Sequence, residues 1–123
     1  MSSADEATAV RYFVPIRIDY TYKAAIILNN NSAPYNLIQG STTLGTETWY
    51  HICSTSNGSE YQIYVNGSRE TLTVQNGANN GARFDAASDR DNLTFGASKR
   101  STVVYVLSGF MDEPRIYNRA LTS

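Results

Sequence analysis

Asp112 and Glu113, near the C-terminus, are the first candidates for chemistry, because paired carboxylates can carry general acid–base catalysis. Adjacent residues of a β-strand point to opposite faces of its sheet, so these two carboxylates cannot act together on one substrate. The sequence also lacks a Glu-x-Asp-x-Glu spacing that would align several carboxylates on one face. We therefore predict a structural role, in which one carboxylate points inward and hydrogen-bonds Arg115 or a backbone amide.

His51 and Cys53 are the second candidates, since an imidazole beside a thiol can generate a nucleophile. Their spacing of two places both on one face of a strand, together with Trp49. The same spacing is typical of core residues, so we interpret His51 as a packing residue and Cys53 as a small buried one. Cys53 is the single cysteine, which leaves a disulfide between chains or a reactive thiol as its alternative. We predict that the protein is not an enzyme.

Oxygen-bearing side chains gather in a predicted loop, at Asp85, Asp89, Asp91 and Asn92. Closely spaced oxygen ligands on a flexible loop are what Ca²⁺ prefers. The spacing is not that of an EF-hand, and two neighbouring arginines can neutralise the same acids. Calcium binding is one hypothesis for this loop, with turn caps and surface ion pairs as the other, and no further cofactor is indicated.

Tyrosine is the abundant aromatic residue, with 9 copies beside 4 Phe and 1 Trp. Tyrosine rings stack on sugars and anchor protein interfaces, and they are also ordinary strand residues. The candidate ligand-binding positions are Tyr35, Tyr50, Tyr64 and Tyr105. The sequence leaves a glycan surface and a subunit interface as alternatives for them.

Size and charge exclude several classes of function. The 123 residues suit one domain, whose first eight residues we expect to form a flexible arm. A net charge of −1 gives no long-range attraction for nucleic acid, and no apolar run approaches the roughly 20 residues of a membrane span. The polar, acidic start lacks the features of a signal peptide.

Alternating polar and apolar residues predict the elements that position these side chains. Residues 10–20 alternate as a long half-buried strand, in which Pro15 requires an edge or a bulge because it has no amide proton. Residues 24–28 and 35–39 predict a hairpin. Asn66-Gly67 predicts a type I′ turn with positive φ at both residues, joining strands 61–65 and 69–74.

Further strands are predicted at residues 49–54, 92–96, 102–107 and 111–117, followed by a possible helical turn at 118–123. Short strands separated by turns of this spacing indicate an all-β fold built as a two-sheet antiparallel sandwich or jelly roll. No stretch has a convincing helical period.

Four segments in order carry a family resemblance: Trp49 to Cys53, Tyr61 to Gly67, Leu93 to Gly96, and Leu107 to Leu121. Together they resemble the central strand, the Tyr-Val-Asn-Gly hairpin, the next strand and the closing strand of laminin-G-like domains of the concanavalin-A-like β-sandwich family. The resemblance implies one jelly-roll domain over residues 1–123. It also implies that Trp49 is buried between the sheets, with His51 partly buried beside it.

The same resemblance implies a non-catalytic recognition or adhesion module that binds a glycan or a protein surface, without nucleic acid or membrane insertion. The alternative is a structural protein of a virus or phage, such as a capsid decoration protein, and either function places the domain outside the cell or on a virion. The N-terminal section is shorter than in the family, so either the domain is a compact variant or one sheet ends in an uncovered edge, which invites pairing with another chain. We therefore expect a homo-oligomer or larger assembly, with its contact near Tyr12, Phe13 and Tyr20.

Overall fold

The computed structural model describes residues 1–4, 11–31, 34–82, 86, 89, 91–99 and 101–119. Within them the chain is all-β, as predicted, and forms antiparallel sheets without an α-helix. The strands are β1 (Ser2–Ala4), β2 (Arg11–Ile18), β3 (Lys23–Asn30), β4 (Asn36–Thr43), β5 (Ile52–Ser56), β6 (Tyr61–Val65), β7 (Ser68–Arg69), β8 (Thr73–Asn76), β9 (Asn92–Thr94), β10 (Ser98–Lys99) and β11 (Val103–Val104).

Six of these strands form one sheet, in the order β8-β4-β3-β2-β1-β9. The predicted strand at residues 10–20 is β2, which lies inside this sheet between β3 and β1. Pairing of β2 with β3 shifts register between Val14 and Arg17, so Pro15 sits at an irregularity of the ladder. Of the two predicted ways to accommodate Pro15, the structure shows the bulge.

The second sheet contains β5, β6 and β7. The hairpin between β6 and β7 turns at Asn66 and Gly67, whose φ angles are 50° and 79°. Both values are positive, which confirms the predicted turn geometry. The strand predicted at residues 69–74 is divided, because the chain leaves β7 and crosses to the six-stranded sheet, where β8 pairs with β4.

Glu70 holds the chain at this crossing. Its Oε2 accepts hydrogen bonds from the backbone amides of Ser41 at 2.7 Å and Thr42 at 2.6 Å. Its Oε1 accepts one from the Thr42 hydroxyl at 2.7 Å, while its own backbone amide donates to Ile63 at 2.9 Å. The buried carboxylate therefore ties β4 of one sheet to β6 of the other.

The hydrophobic core lies between the two sheets. Strand alternation directs Ile26 of β3 and Ile63 of β6 into the same layer, and each is 1% exposed. The rings of Phe13 and Tyr61 stack with centroids 6.2 Å apart. The buried cluster is Phe13, Ala24, Ile26, Leu28, Ile38, Leu44, Tyr61, Ile63 and Val65.

Trp49 and His51 lie outside this core, so the prediction that they are buried is wrong. Trp49 is 67% exposed, and His51 is exposed as well. The reason is the phase of the alternation, because Tyr50 and Ile52 pack against the core and the residues that alternate with them face outward. His51 instead brackets the hairpin turn, since its amide donates to Asn66 Oδ1 and its carbonyl accepts from the Asn66 amide.

The C-terminal segment, residues 106–119, also differs from its prediction. Residues 111–117 form no strand, and Asp112 and Glu113 are exposed, so the predicted inward carboxylate is wrong. The expected contact with Arg115 is present, at 3.1 Å from Glu113, but it lies at the surface. The predicted helical turn at 118–123 falls largely outside the described residues. Among the described residues, none belongs to a helix long and apolar enough to cross a membrane.

Candidate functional site

The face of the six-stranded sheet turned away from the core is here called the open face. Ala25 lies at its centre, paired with Arg17 on β2 and with Gln39 on β4. Cross-strand partners share a face, so Arg17 and Gln39 project on the same side as Ala25. The β10–β11 hairpin covers the far end of this face, where Ser98 and Ser2 join their hydroxyls at 2.9 Å.

A cleft of about 130 Å³ opens on this face. We call it the polar cleft. Its lining comes from β2, from the turn after β2, and from β4 and β8: Arg17, Asp19, Tyr20, Thr21, Leu37, Gln39 and Gln75.

The turn between β2 and β3 brings three of these residues to the cleft. Asp19 and Lys23 pair at the base of the turn, and the Tyr22 amide donates to the Asp19 carbonyl at 3.0 Å. Tyr22 takes φ 59°, the left-handed conformation that closes the turn. The Asp19 carboxylate accepts hydrogen bonds from the Thr21 amide at 2.8 Å and from the Thr21 hydroxyl at 2.7 Å.

Two amide side chains extend this network across the cleft. Gln75 Nε2 donates to Gln39 Oε1 at 2.9 Å. Gln39 Nε2 in turn donates to Thr21 Oγ1 at 2.9 Å and to Asp19 Oδ2. The network fixes these polar groups before any ligand arrives.

Asp19 is the charged centre of the network. Burial raises the pKa of its carboxyl, but the hydrogen bonds from Thr21, Gln39 and Lys23 outweigh burial and hold that pKa below its usual range. Asp19 is therefore ionised at neutral pH, with both of its oxygens occupied by donors.

Two aromatic rings stand at the cleft. Tyr20 is 90% exposed at its rim. The Arg17 guanidinium lies 5.8 Å from the centroid of the exposed Tyr105 ring, within the range of a cation–π contact. The cleft therefore combines a free aromatic face, fixed amides and a cation, which are the groups that bind sugar rings and their substituents.

Comparison with known proteins identifies the family of this chain. A model of the concanavalin A-like lectin/glucanases superfamily matches residues 2–123. The chain belongs to this superfamily. No curated protein and no solved structure matches the chain. The predicted resemblance is thus confirmed, and membership makes the chain one of a superfamily of carbohydrate- and protein-binding modules that also includes glucanases.

In this superfamily member, the four predicted ligand-binding tyrosines do not form one site. Tyr105 alone is shown in contact with a residue of the polar cleft. Tyr35 precedes β4, and Tyr50 accepts a hydrogen bond from Gly45 at 2.9 Å in the loop before β5. Tyr64 donates to Gln62 on the outward face of the three-stranded sheet.

The predicted calcium ligands also make separate contacts with different parts of the protein. Asp89 forms an ion pair with Arg11, and Asp91 is exposed. Asn92 Nδ2 donates to the Ala4 carbonyl at 3.0 Å, which ties β9 to β1. Asp85 lies outside the described residues. The described residues contain no group of three His, Cys, Asp or Glu that could hold a metal. Calcium binding stays a prediction.

Cys53 is half-buried on the outward face of β5, opposite Tyr64. The prediction that Cys53 is a small buried residue is therefore wrong, because the core side of β5 is taken by Ile52, whose partner is Val65. Burial raises the pKa of the Cys53 thiol, which disfavours the thiolate at neutral pH.

The sequence prediction missed Asp19, Gln39 and Gln75. Asp19 had a local signal, since an Asp two residues before a Thr is typical of an Asx turn, but the strand prediction for residues 10–20 included it. Gln39 and Gln75 had none, because 36 residues separate them and only the pairing of β4 with β8 brings them together.

Proposed function

We propose that the protein is a non-catalytic recognition module that binds a glycan at the polar cleft of its open face. Membership in the superfamily supports a binding module in general. The observation that carries the proposal is the exposed Tyr20 ring beside the fixed amides of Gln39 and Gln75. The ring offers a stacking surface, and the exposed Gln75 amide, held in place by Gln39, offers directional hydrogen bonds to hydroxyl groups.

A glucanase reaction fits this cleft poorly. Glycoside hydrolysis uses two carboxyl groups, roughly 5–10 Å apart, with the acid kept protonated by a raised pKa. Among the described residues that line the cleft, Asp19 is the one carboxylate. Its pKa is lowered and its oxygens accept hydrogen bonds from the protein, so it is suited to hold a turn rather than to deliver a proton.

The dimensions of the cleft indicate shallow binding. Pockets that enclose drug-sized ligands have volumes of about 300–1,000 Å³. A cleft of about 130 Å³ therefore accommodates part of a glycan chain, with the remainder over the open face. We expect modest affinity for single sites, which repeated copies of the domain would strengthen.

The proposal is tested by screening the purified protein on a glycan array and measuring the strongest binders by calorimetry. Tyr20→Ala should weaken binding by about two- to tenfold, since losing an aromatic stack costs roughly 0.5–1.5 kcal/mol. Tyr117→Ala is the matched control, because Tyr117 is also exposed but lies outside the cleft. Binding that is equally insensitive to both changes, or absent on the whole array, would overturn the proposal.

A second candidate function is a subunit of a larger assembly, such as a virion. The C-terminal segment favours it, because its apolar side chains are exposed to solvent, including Phe110 at 90%. Exposed apolar patches of this kind mark interaction surfaces. The contact expected near Tyr12, Phe13 and Tyr20 needs revision, since Phe13 is 4% exposed and packs on Tyr61 within its own chain.

Analytical ultracentrifugation at micromolar concentration tests this candidate. We expect an oligomer that dissociates when Phe110 and Ile116 are both changed to Ser. The paired control changes Val74 to Ser, an exposed apolar residue of β8 outside that segment. A monomer at all concentrations would remove the second candidate and leave the glycan-binding proposal intact.

A further inference from the structure

Arg17 is the cation that lines the polar cleft, and the described residues leave its hydrogen-bonding capacity unused. Its guanidinium carries five N–H donors, and within the described part of the chain it makes the ring contact with Tyr105 and no hydrogen bond or ion pair. Arg17 is half-buried on β2, and its side chain lines the cleft. A partly desolvated guanidinium without an acceptor is a site for an acidic ligand.

The neighbouring acid does not fill this role. Asp19 Oδ1 accepts hydrogen bonds from Thr21 and from the Lys23 amide, and Asp19 Oδ2 accepts one from Gln39. No ion pair joins it to Arg17 among the described residues. The protein therefore satisfies its carboxylate with neutral donors and keeps the arginine available.

Local charge points the same way. Lys23 begins β3 directly after the turn that contains Asp19. In the part of the chain that the structure describes, the Lys23 side chain also forms no ion pair. Two cations and one hydrogen-bonded carboxylate give this end of the open face a positive charge, although the whole chain carries −1. Such a local potential favours an anionic ligand over a neutral one.

Tyr105 orients the guanidinium. The Arg17 guanidinium carbon lies over the Tyr105 ring, 5.8 Å from its centroid, and this contact uses none of the N–H donors, which stay free for a bidentate acceptor. Carboxylate and sulfate groups both present two oxygens at the required spacing. The exposed Tyr20 ring lies in the same cleft and can stack on the sugar that bears the acidic group.

We infer that the glycan bound at the polar cleft is acidic, and that Arg17 binds the oxygens of its carboxylate or sulfate group. This inference rests on the proposed glycan-binding function. It makes Arg17 the residue that selects acidic over neutral glycans, while Tyr20 contributes to the binding of both.

The test is calorimetric titration with three oligosaccharide probes: tetragalacturonate, its fully methyl-esterified form, and a heparin tetrasaccharide. The ester keeps the sugar chain and removes the negative charge, so it isolates the role of the acid. We expect tetragalacturonate, heparin tetrasaccharide or both to bind at least about tenfold tighter than the ester. Tetragalacturonate carries carboxylates alone and heparin carries both groups, so tighter binding of the heparin tetrasaccharide would show that its sulfates add to the affinity, and equal or weaker binding would show that carboxylates suffice.

Arg17→Gln should reduce binding of the acidic probe by about tenfold and leave binding of the neutral ester unchanged. Arg17→Lys should restore part of the affinity, since it keeps the charge but not the bidentate geometry. Arg69→Gln is the control, because Arg69 is an exposed cation of the other sheet. Tyr105→Ala is a second test that removes the orienting ring without touching the guanidinium, and it should weaken acidic binding by about threefold.

Two outcomes separate this inference from the function on which it rests. Equal binding of acidic and esterified probes, with dependence on Tyr20, would overturn the acidic selectivity and support the glycan-binding function. Acidic binding unaffected by Arg17→Gln would overturn the role of Arg17. Absence of binding to every glycan tested, on the array and by titration, would overturn the proposed function and the inference together.

Discussion

Glu70 shows how a single buried carboxylate can join two sheets. Burial raises the pKa of its carboxyl, but hydrogen bonds from Thr42 and Ser41 outweigh burial and lower it overall. A pKa lower in the folded than in the unfolded state adds stability above the unfolded value of about 4.3. That contribution is lost as the pH falls through the folded pKa.

Glu70→Gln should therefore lower the free energy of unfolding by about 2 kcal/mol at pH 7, because the amide cannot accept all four hydrogen bonds. Urea unfolding should show the difference from wild type shrinking as the pH falls below the unfolded value of about 4.3 and through the lower folded pKa. Glu60→Gln is the control, since Glu60 pairs with Arg69 at 3.8 Å near the surface, and it should cost less than about 0.5 kcal/mol. A pH-independent loss would show that side-chain shape, not charge, joins the sheets.

The second prediction at the residue scale concerns the solvent exposure of Trp49. It is the single tryptophan, so intrinsic fluorescence reports its surroundings directly. Because it is 67% exposed, we expect red-shifted emission and efficient quenching by acrylamide in the folded protein. Trp49→Ala should cost less than about 1 kcal/mol, whereas truncation of a buried tryptophan costs roughly 3–5 kcal/mol. Blue-shifted emission that acrylamide quenches poorly would show instead that Trp49 is buried in the core.

At the scale of elements, the β6–β7 hairpin makes a separate prediction. Gly67 takes φ 79°, and a Cβ added there would meet nothing within 4 Å. A side chain would therefore destabilise the fold only through the positive φ of the backbone, not through a clash. Gly67→Val should destabilise the protein by about 1–2 kcal/mol in denaturant unfolding. Gly109→Val is the control, because Gly109 has equally open space without a positive φ, and an equal loss in both variants would contradict the turn assignment.

Local patterns predicted the strands more accurately than their ends and partners. The β6–β7 turn and the bulge at Pro15 follow from the stereochemistry of a few neighbouring residues, and both are present. The start of β5 depends on which side chain meets Val65 across the sheet, and the sequence does not show that Ile52 fills this position instead of Trp49. The path from β7 to β8 depends on Glu70 reaching β4, a tertiary contact without a local signal.

The same limit applies to the candidate site. Sequence patterns identified tyrosines by type, and Tyr105 does contact a residue of the cleft. Arg17 and Gln39 could not be placed together, because they are 22 positions apart and share a face only through their common neighbour Ala25 on β3. The fold class was accessible from alternation, whereas the site required the order of strands in the sheet.

For the whole molecule, the two faces of the six-stranded sheet have different roles. One face packs Phe13 and Ile26 against the second sheet and provides the core. The open face carries the buried Gln39, with the half-buried Arg17 and the exposed Gln75 and Tyr20 beside it. The fold thus gives a rigid base to a polar surface, as a recognition module needs.

The most direct measurement of the central claim is a titration of the ¹⁵N-labelled protein with its strongest-binding oligosaccharide, followed by nuclear magnetic resonance. We expect the largest shifts at amides of the cleft, from Arg17 to Thr21 and at the side chains of Gln39 and Gln75. Shifts confined to the loop around Trp49 or to the three-stranded sheet, with the cleft unchanged, would contradict the account.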